Sequence, residues 1–312
     1  MKPQDSALRE EIARLKKEKN ALIMAHYYQR DEIQEIADFI GDSLALARKA
    51  AETDADIIVM CGVHFMGETA KILCPDKKVL VPDMEAGCSL ADSCDPEEFA
   101  RFVKEHPGYT VISYVNTSAA VKAHTDIVVT SGNARKIVES LPADEKIIFG
   151  PDRNLGGYIN SVCGRDMLLW PGACHVHDRF SIQKIQQMKE EYPGAKILVH
   201  PECRRPLQLI ADKVGSTAAL LDFARTDNAS EYIVVTESGI LFEMRRACPE
   251  KTFLAAPAED SECQCNECDY MKLNTLEKVA RALRDEQPEI LVDAEIARRA
   301  LRPIERMLEL SR

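Results

Sequence analysis

Three short apolar segments, each ending in polar chemistry, recur along this chain. They are LIMAHYY (22–28), TVISYVN (110–116) and KILVHPE (196–202), and the steps are 88 residues from His26 to Tyr114 and 86 from Tyr114 to His200. After each comes a small polar residue opening a helical pattern: GDSLALARKA (41–50), TSAAVKAHT (117–125) and GSTAALLDFA (215–224). A second strand pattern follows at DIIVMCG (56–62), DIVVTSG (126–132) and EYIVVTESG (231–239), and a third at KKVLVPD (77–83), EKIIFGPD (145–152) and KTFLAAP (251–257). Every unit then reaches a loop with a cysteine: Cys88 in EAGCSLAD, Cys174 in WPGACHVH and Cys268 in CNECDYM, 86 and 94 residues apart. Self-similarity at a fixed period decides architecture before any local feature does. Alternating strand and helix patterns imply α/β units with mainly parallel sheets. The expected fold is therefore α/β, with three homologous three-strand units arranged with pseudo-threefold symmetry around a central active site. Open α/β sheets bind ligands at the carboxyl ends of their strands, so those ends should face one shared cavity.

The cysteine loops mark the expected boundaries. Residues 1–88 together with 269–312 form the first unit with the terminal helices, 89–174 the second and 175–268 the third. A unit of about 90 residues makes a thin core on its own, so extensive packing between units is expected. The stretch 271–312 reads as helical and divided by Pro288; Leu276, Val279 and Leu283 on one face suit it to pack back on the first unit. A net charge of −11 excludes a general nucleic-acid or acidic-membrane binder. No apolar run approaches ~18 residues, so no membrane span is expected. The opening MKPQDSALREEIARLKKEKN has alternating charge and reads as an amphipathic surface helix, not a signal peptide. The expected location is cytoplasmic, where stable disulfides are uncommon.

Eleven cysteines are many for that compartment, and an odd number turns attention to metal or catalysis. Cys61 and Cys74 lie in apolar runs and read as core. Cys88, Cys174 and Cys268 occupy equivalent places in the three units. Structural zinc draws its ligands from local pairs that hold small folds together, which single cysteines spread over 180 positions do not resemble. A [4Fe–4S] cluster usually takes four thiolates. With three, one iron keeps an open position and acts as a Lewis acid on hydroxyl and carboxylate oxygens. The run CQCNEC places Cys263 and Cys265 beside Cys268. By itself it is open to reading as a zinc hook, a redox pair or a cluster loop. A non-catalytic iron–sulfur protein and a zinc-dependent sugar-phosphate lyase are the competing classes.

The motifs AHYYQ, GDSLALA, PDMEAGCSLAD, SYVNTSAAVKA, TSGNA, FGPDRNLGGY, WPGACHVH, VHPEC, GSTAAL, TESGI and MKLNTLEK run in order from residue 25 to residue 278. In this the chain closely resembles the quinolinate synthase family. The resemblance implies three homologous α/β units around a central [4Fe–4S] cluster ligated by Cys88, Cys174 and Cys268. It implies condensation of iminoaspartate with dihydroxyacetone phosphate to quinolinate, with loss of phosphate and two waters, in NAD biosynthesis. An iminoaspartate-producing enzyme is the implied functional partner. Carried residue by residue, it assigns His26 and Tyr28, Tyr114 and Asn116, and His200 and Glu202 to catalysis. It assigns substrate contacts to Ser43, Ser131, His177, Ser216, Thr217 and Thr236, together with His26, Tyr114, Asn116, His200 and Glu202. Some relatives carry C-x2-C-x2-C in the last loop where this chain has C-x-C-x2-C. That departure bears on Cys263 and Cys265, not on Cys268.

The implied chemistry suits these residue types. Both substrates are anions, and in a chain of net charge −11 they need local donors. Hydroxyls and N–H groups at helix starts supply them, although plain N-capping uses the same residues. Removing a carbon-bound proton from a ketose phosphate needs a base and an oxyanion donor; Glu202 and His200 suit these tasks, with Glu202 as the expected partner of Tyr28. Tyr27 alternates away from the site and should pack. His175 reads as a bystander, and His64, His106 and His124 as surface or structural.

Overall fold

The protein is described from a computed structural model, over residues 3–259 and 266–312. Cys263 and Cys265 lie outside the described residues. The first apolar segment of each unit forms a strand buried at its centre: β1 (Ala21–His26), β5 (Thr110–Tyr114) and β9 (Lys196–Val199). Around these three lie β2 (Phe39–Gly41), β3 (Ile57–Cys61), β4 (Lys78–Leu80), β6 (Ile127–Val129), β7 (Ile147–Gly150), β8 (Leu168–Leu169), β10 (Lys213–Val214), β11 (Glu231–Val235) and β12 (Thr252–Ala255). They make three four-stranded sheets of identical order, β2-β1-β3-β4, β6-β5-β7-β8 and β10-β9-β11-β12. All the pairings are parallel. Strands covered on both faces read as continuous apolar runs, as in IIVMC of β3, every residue of which is buried.

The units thus have four strands, not the expected three. The additional strands are only two or three residues long, too short to show a period. The shortness also misaligns the second unit. DIVVTSG resembles DIIVMCG, yet Ile127–Val129 is the edge strand beside β5 and the counterpart of β2 and β10. The counterpart of β3 and β11 is β7. Accordingly Ala119–Lys122, inside the expected helix 117–125, precedes its edge strand, and Ala134–Ser140 follows it.

One polar device recurs in all three sheets. Asp38, Asp126 and Asp212 each stand just before an edge strand. Their Oδ2 atoms accept the N–H groups of Ile23, Val111 and Ile197 at 2.9, 2.8 and 2.8 Å. The N–H of each aspartate returns to the carbonyl of the same residue, at 2.9 Å in every case. The edge strand is thereby tied to the central strand at its amino end, which sets the register with which both reach the site. Asp126→Ala is expected to lower unfolding free energy by about 1 kcal/mol, the net worth of one such bond. Urea unfolding measures it, and an unchanged midpoint would remove the device from the account.

A single apolar cluster joins the sheets, with Met24 and Ile58 from the first, Ile112 and Phe149 from the second, and Leu198 and Tyr232 from the third. This is the packing between units that their size demands. The helix Pro3–Glu18 forms as expected and buries Ile12 and Leu15. The helix Leu276–Asp285 packs on it. The last helix, Ala294–Leu310, departs from expectation. It lies on β6 and Ala119–Lys122 of the second unit as well as on His64–Leu73 of the first. Among the described residues, no helix is long and apolar enough to cross a membrane.

Candidate active site

In this strand order the direction of winding reverses between β1 and β3, between β5 and β7 and between β9 and β11, the place where α/β folds bind ligands. The residues just beyond β1, β5 and β9 gather there. His26 closes β1, and its Nδ1 accepts the N–H of Tyr28 at 3.2 Å; His200 follows β9, and its Nδ1 accepts the N–H of Glu202 at 3.4 Å. The same two-residue loop bond recurs in two units. It leaves Nε2 as the proton-bearing nitrogen of each neutral ring. Burial drives both imidazoles down to about 3, so both are neutral donors at any working pH. The Nε2 of His200 reaches Ser131 Oγ of the second unit at 3.2 Å.

One cavity collects these groups. His26, Tyr28 and Ser43 come from the first unit, Tyr114, Asn116 and Ser131 from the second, and His200, Glu202 and Thr217 from the third. His177 and the three cysteines Cys88, Cys174 and Cys268 line it too. By pairing register, Ser43, Ser131 and Thr217 are equivalent positions. Two expected contacts are not on the wall. Ser216 caps the helix Thr217–Thr226, its side chain accepting the N–H of Ala219 at 3.3 Å. Thr236 stands behind the wall, bonded to Tyr28 Oη at 2.7 Å and to His177 Nε2 at 2.9 Å. His175 also lies off the wall, beside Ser89 and edge-on to Tyr270.

The carboxylate of Glu202 is the electrostatic centre. Its Oε2 lies 2.6 Å from His177 Nδ1, both side chains being almost wholly buried. Burial pushes this carboxyl up, but the charge and hydrogen bond of His177 and the hydrogen bond of the Tyr114 hydroxyl hold it at about 2. It is therefore ionised. The expected bond from Tyr28 to Glu202 is not made. Tyr28 Oη pairs with Thr217 at 2.9 Å and with Thr236 instead, and Glu202 reaches it through charge alone. Burial raises the phenols of Tyr28 and Tyr114 well above the ordinary value, and both remain protonated donors. Oδ1 of Asn116 and Oε1 of Glu202 are buried without a hydrogen-bond partner. A buried acceptor left open in this way is a place for a ligand's donor.

Each cysteine sits at the start of a short turn. Cys88 precedes Ser89–Asp92, Cys174 precedes His175–Asp178, and Cys268 lies three residues before Met271–Leu273. Backbone N–H groups just downstream lower the pKa of each sulfur, from Ala91 and Leu90, from His177, and from Met271 and Tyr270. Burial nonetheless carries the thiols up, Cys88 to about 12, Cys268 to about 11 and Cys174 well above its usual value. The charge of Cys268 raises Cys88 further, and that of Cys88 raises Cys174. All three cysteines line the same cavity, and a site that took them as thiolates would need a positive group among them. Among the described residues, the one group that brings a ligand atom from each member within 4.8 Å of the others is Cys174, His177 and Glu202.

Two buried acids that the sequence reading passed over hold these loops. Asp152 Oδ2 accepts the N–H of Cys174 at 3.0 Å, and Glu237 Oε1 accepts that of Cys268 at 3.2 Å. They stand two residues beyond β7 and β11, at equivalent places. The signal was present in GPD and TES, each closing a strand of the same rank. Lys272 bridges Glu237 at 2.9 Å to the carbonyl of Tyr28 at 2.8 Å. Gly239 allows the backbone of Tyr28 to come close, since a Cβ there would stand 2.8 Å from it. The nine cysteines among the described residues are free thiols, with Cys61, Cys74 and Cys203 buried in the core.

Residues 10–309 match the family described as quinolinate synthetase A protein. The chain is 54% identical over 303 residues to the quinolinate synthase of Chloroherpeton thalassium, covering 97% of this chain and 94% of the relative. It is 55% identical over 300 residues to that of a Synechococcus species, covering 96% and 94%. The quinolinate synthase of a Nostoc species is also 55% identical over 300 residues, covering 96% and 92%.

Proposed function

The chain belongs to the quinolinate synthetase A protein family, and from that premise we propose that it condenses iminoaspartate with dihydroxyacetone phosphate. The products are quinolinate, phosphate and two waters, for NAD biosynthesis. In this reading the three units stand about a pseudo-threefold axis, and Cys88, Cys174 and Cys268 hold a [4Fe–4S] cluster where they meet. One observation carries it: cysteines from three separate units enter one cavity beside an ionised, buried carboxylate. Buried thiols held protonated, with their charges opposed, suit a site completed by a cationic inorganic core. When bound, the cluster supplies an iron with an open position that polarises hydroxyl and carboxylate oxygens.

The chain's own groups divide the remaining work. Glu202, ionised and with Oε1 unpartnered, takes the carbon-bound proton beside the triose carbonyl. Neutral His200, with Nε2–H toward Ser131, donates to the oxygen that gains charge. Tyr28, locked by Thr217 and Thr236, and Tyr114 supply further donors. Asn116 turns its open Oδ1 to the nascent ring nitrogen or hydroxyl. Ser43 and Thr217 open ten-residue helices, whose N-termini favour the carboxylates and phosphate of the substrates. Supply of iminoaspartate by a separate enzyme, and operation in the cytoplasm, belong to the same proposal.

The test is anaerobic turnover of reconstituted protein with both substrates, following quinolinate, together with spectroscopy of the cluster on adding quinolinate. Quinolinate formation and a perturbed spectrum are expected; a spectrum indifferent to quinolinate would indicate an electron carrier. The sulfur, nitrogen and oxygen set of Cys174, His177 and Glu202 also suits zinc. Zinc without iron or sulfide after anaerobic purification would overturn the cluster reading. Cys61→Ala and Cys203→Ala, altered in the core and away from the cavity, are expected to retain full iron and turnover. Loss of iron in either, with the fold intact, would mean the wrong thiols have been assigned.

A further inference from the structure

Three buried side chains that have no place in the chemistry above recur with the period of the sheets. Gln34 Nε2 donates to the carbonyls of Tyr27 at 3.1 Å and Gln29 at 2.9 Å. Gln208 Nε2 donates to those of Pro201 at 2.9 Å and Cys203 at 2.7 Å. In the second unit the same place holds an amine: Lys122 Nζ donates to Val115 at 2.8 Å and to Thr117. In each case the two carbonyls are those of the residues seven and five places earlier. The residue between them, six places earlier, is Tyr28, Asn116 or Glu202.

Each donor also touches the unit next to its own. Gln34 reaches the carbonyl of Gly239 at 3.0 Å and Gln208 that of Asn154 at 3.5 Å. Lys122 lies over the ring of Phe65, 5.4 Å from its centre. Phe65, Asn154 and Gly239 are themselves equivalent, four residues beyond the last paired position of β3, β7 and β11 in their sheets. First to third, third to second and second to first, the contacts form a closed round.

We propose that Gln34, Lys122 and Gln208 are positioning residues, each clamping the carbonyls on either side of one site residue and so fixing where Tyr28, Asn116 and Glu202 point. This rests on the functional reading above. The socket consists of carbonyl oxygens, so only a donor fits it. An amide fits by its nitrogen and leaves its Oε1 buried without a partner, as Gln34 and Gln208 both do. An ammonium has three N–H donors and no acceptor to strand, which explains why a wholly buried lysine is admitted at this one place. Its burial lowers its pKa to about 8, so the amine has donors in either protonation state.

The test uses the reconstituted full chain and compares donor-free variants with exchanged donors. Lys122→Met is expected to keep its iron and lose kcat about 10- to 100-fold, the scale on which misplacing a reacting group slows an enzyme. Lys122→Gln and Gln208→Lys, which swap the two kinds of clamp, are expected to stay within about threefold of the unsubstituted kcat. Full kcat in folded Lys122→Met would overturn the proposal. So would a tenfold loss in either folded swap, which decides the matter if the Met variant does not fold. Should the unsubstituted chain make no quinolinate, the function fails alone. The clamp is then read from a crystal structure of Lys122→Met, where an undisturbed Asn116 would refute it.

Discussion

Cys174→Ala is expected to leave the folded chain with less than about a tenth of its iron, since the proposed cluster, held by three thiolates where four are usual, has none to spare. Turnover should fall by at least about 10³-fold, because stabilising charge on reacting oxygens is usually the largest single contribution to catalysis. Cys88→Ala and Cys268→Ala should behave alike, being the equivalent residues of the other units. The fold should survive. Small metal-dependent domains unfold when their ion is removed, but here one apolar cluster spans all three sheets. Thermal melting of the metal-free protein therefore separates loss of a ligand from loss of structure. Iron and sulfide per chain, measured after anaerobic reconstitution, give the main result. A full complement in Cys174→Ala would show that its sulfur, although it faces the cavity, holds nothing there.

What could be read from the sequence follows from how long each signal is. β1, β5, β9 and β11 are strands of four residues or more, most of them apolar, and announce themselves. The cysteine loops do so as well, because a cysteine among polar residues is rare enough to be counted. β8 and β10 have two residues each, and two residues carry no period. Without them the sequence pattern of the second unit aligns one strand out of step with the others. The adjacent pair Ser216 and Thr217 offers two hydroxyls for contact, yet only Thr217 lines the cavity while Ser216 caps its helix. Which of two neighbouring hydroxyls points inward depends on the angle at which the helix leaves the strand. The partner of Tyr28 is hidden in the sequence for a similar reason. Thr217 and Thr236 come from two strand ends of another sheet, and their meeting is a product of packing. Asp38, Asp126 and Asp212 kept the 88- and 86-residue steps of the repeat in plain view. The clamps were harder to see, since one of them is a lysine and residue type no longer reveals the equivalence.

Glu202→Gln is expected to lower kcat by about 10²- to 10⁴-fold, the usual contribution of a positioned base, with iron content unchanged and KM within a few-fold. Glutamine keeps the volume of the side chain and still offers His177 an acceptor, so the 2.6 Å contact has a neutral replacement and the wall keeps its shape. What is removed is the capacity to take a proton. The ionised state follows from the surroundings: the carboxyl is held at about 2 in the folded chain against 4.5 ordinarily. A depressed carboxylate favours the folded state fully above the unfolded value, and that favour is lost as pH falls through the folded one. Between pH 6 and 9 Glu202 therefore does not titrate, and any limb of the rate profile there belongs to another group. In Glu202→Gln that limb should keep its position while the plateau drops. If instead the plateau stays within threefold of the unsubstituted enzyme, the carbon-bound proton leaves by another route. The buried carboxylate would then serve only to hold His177 against the cysteine beside it.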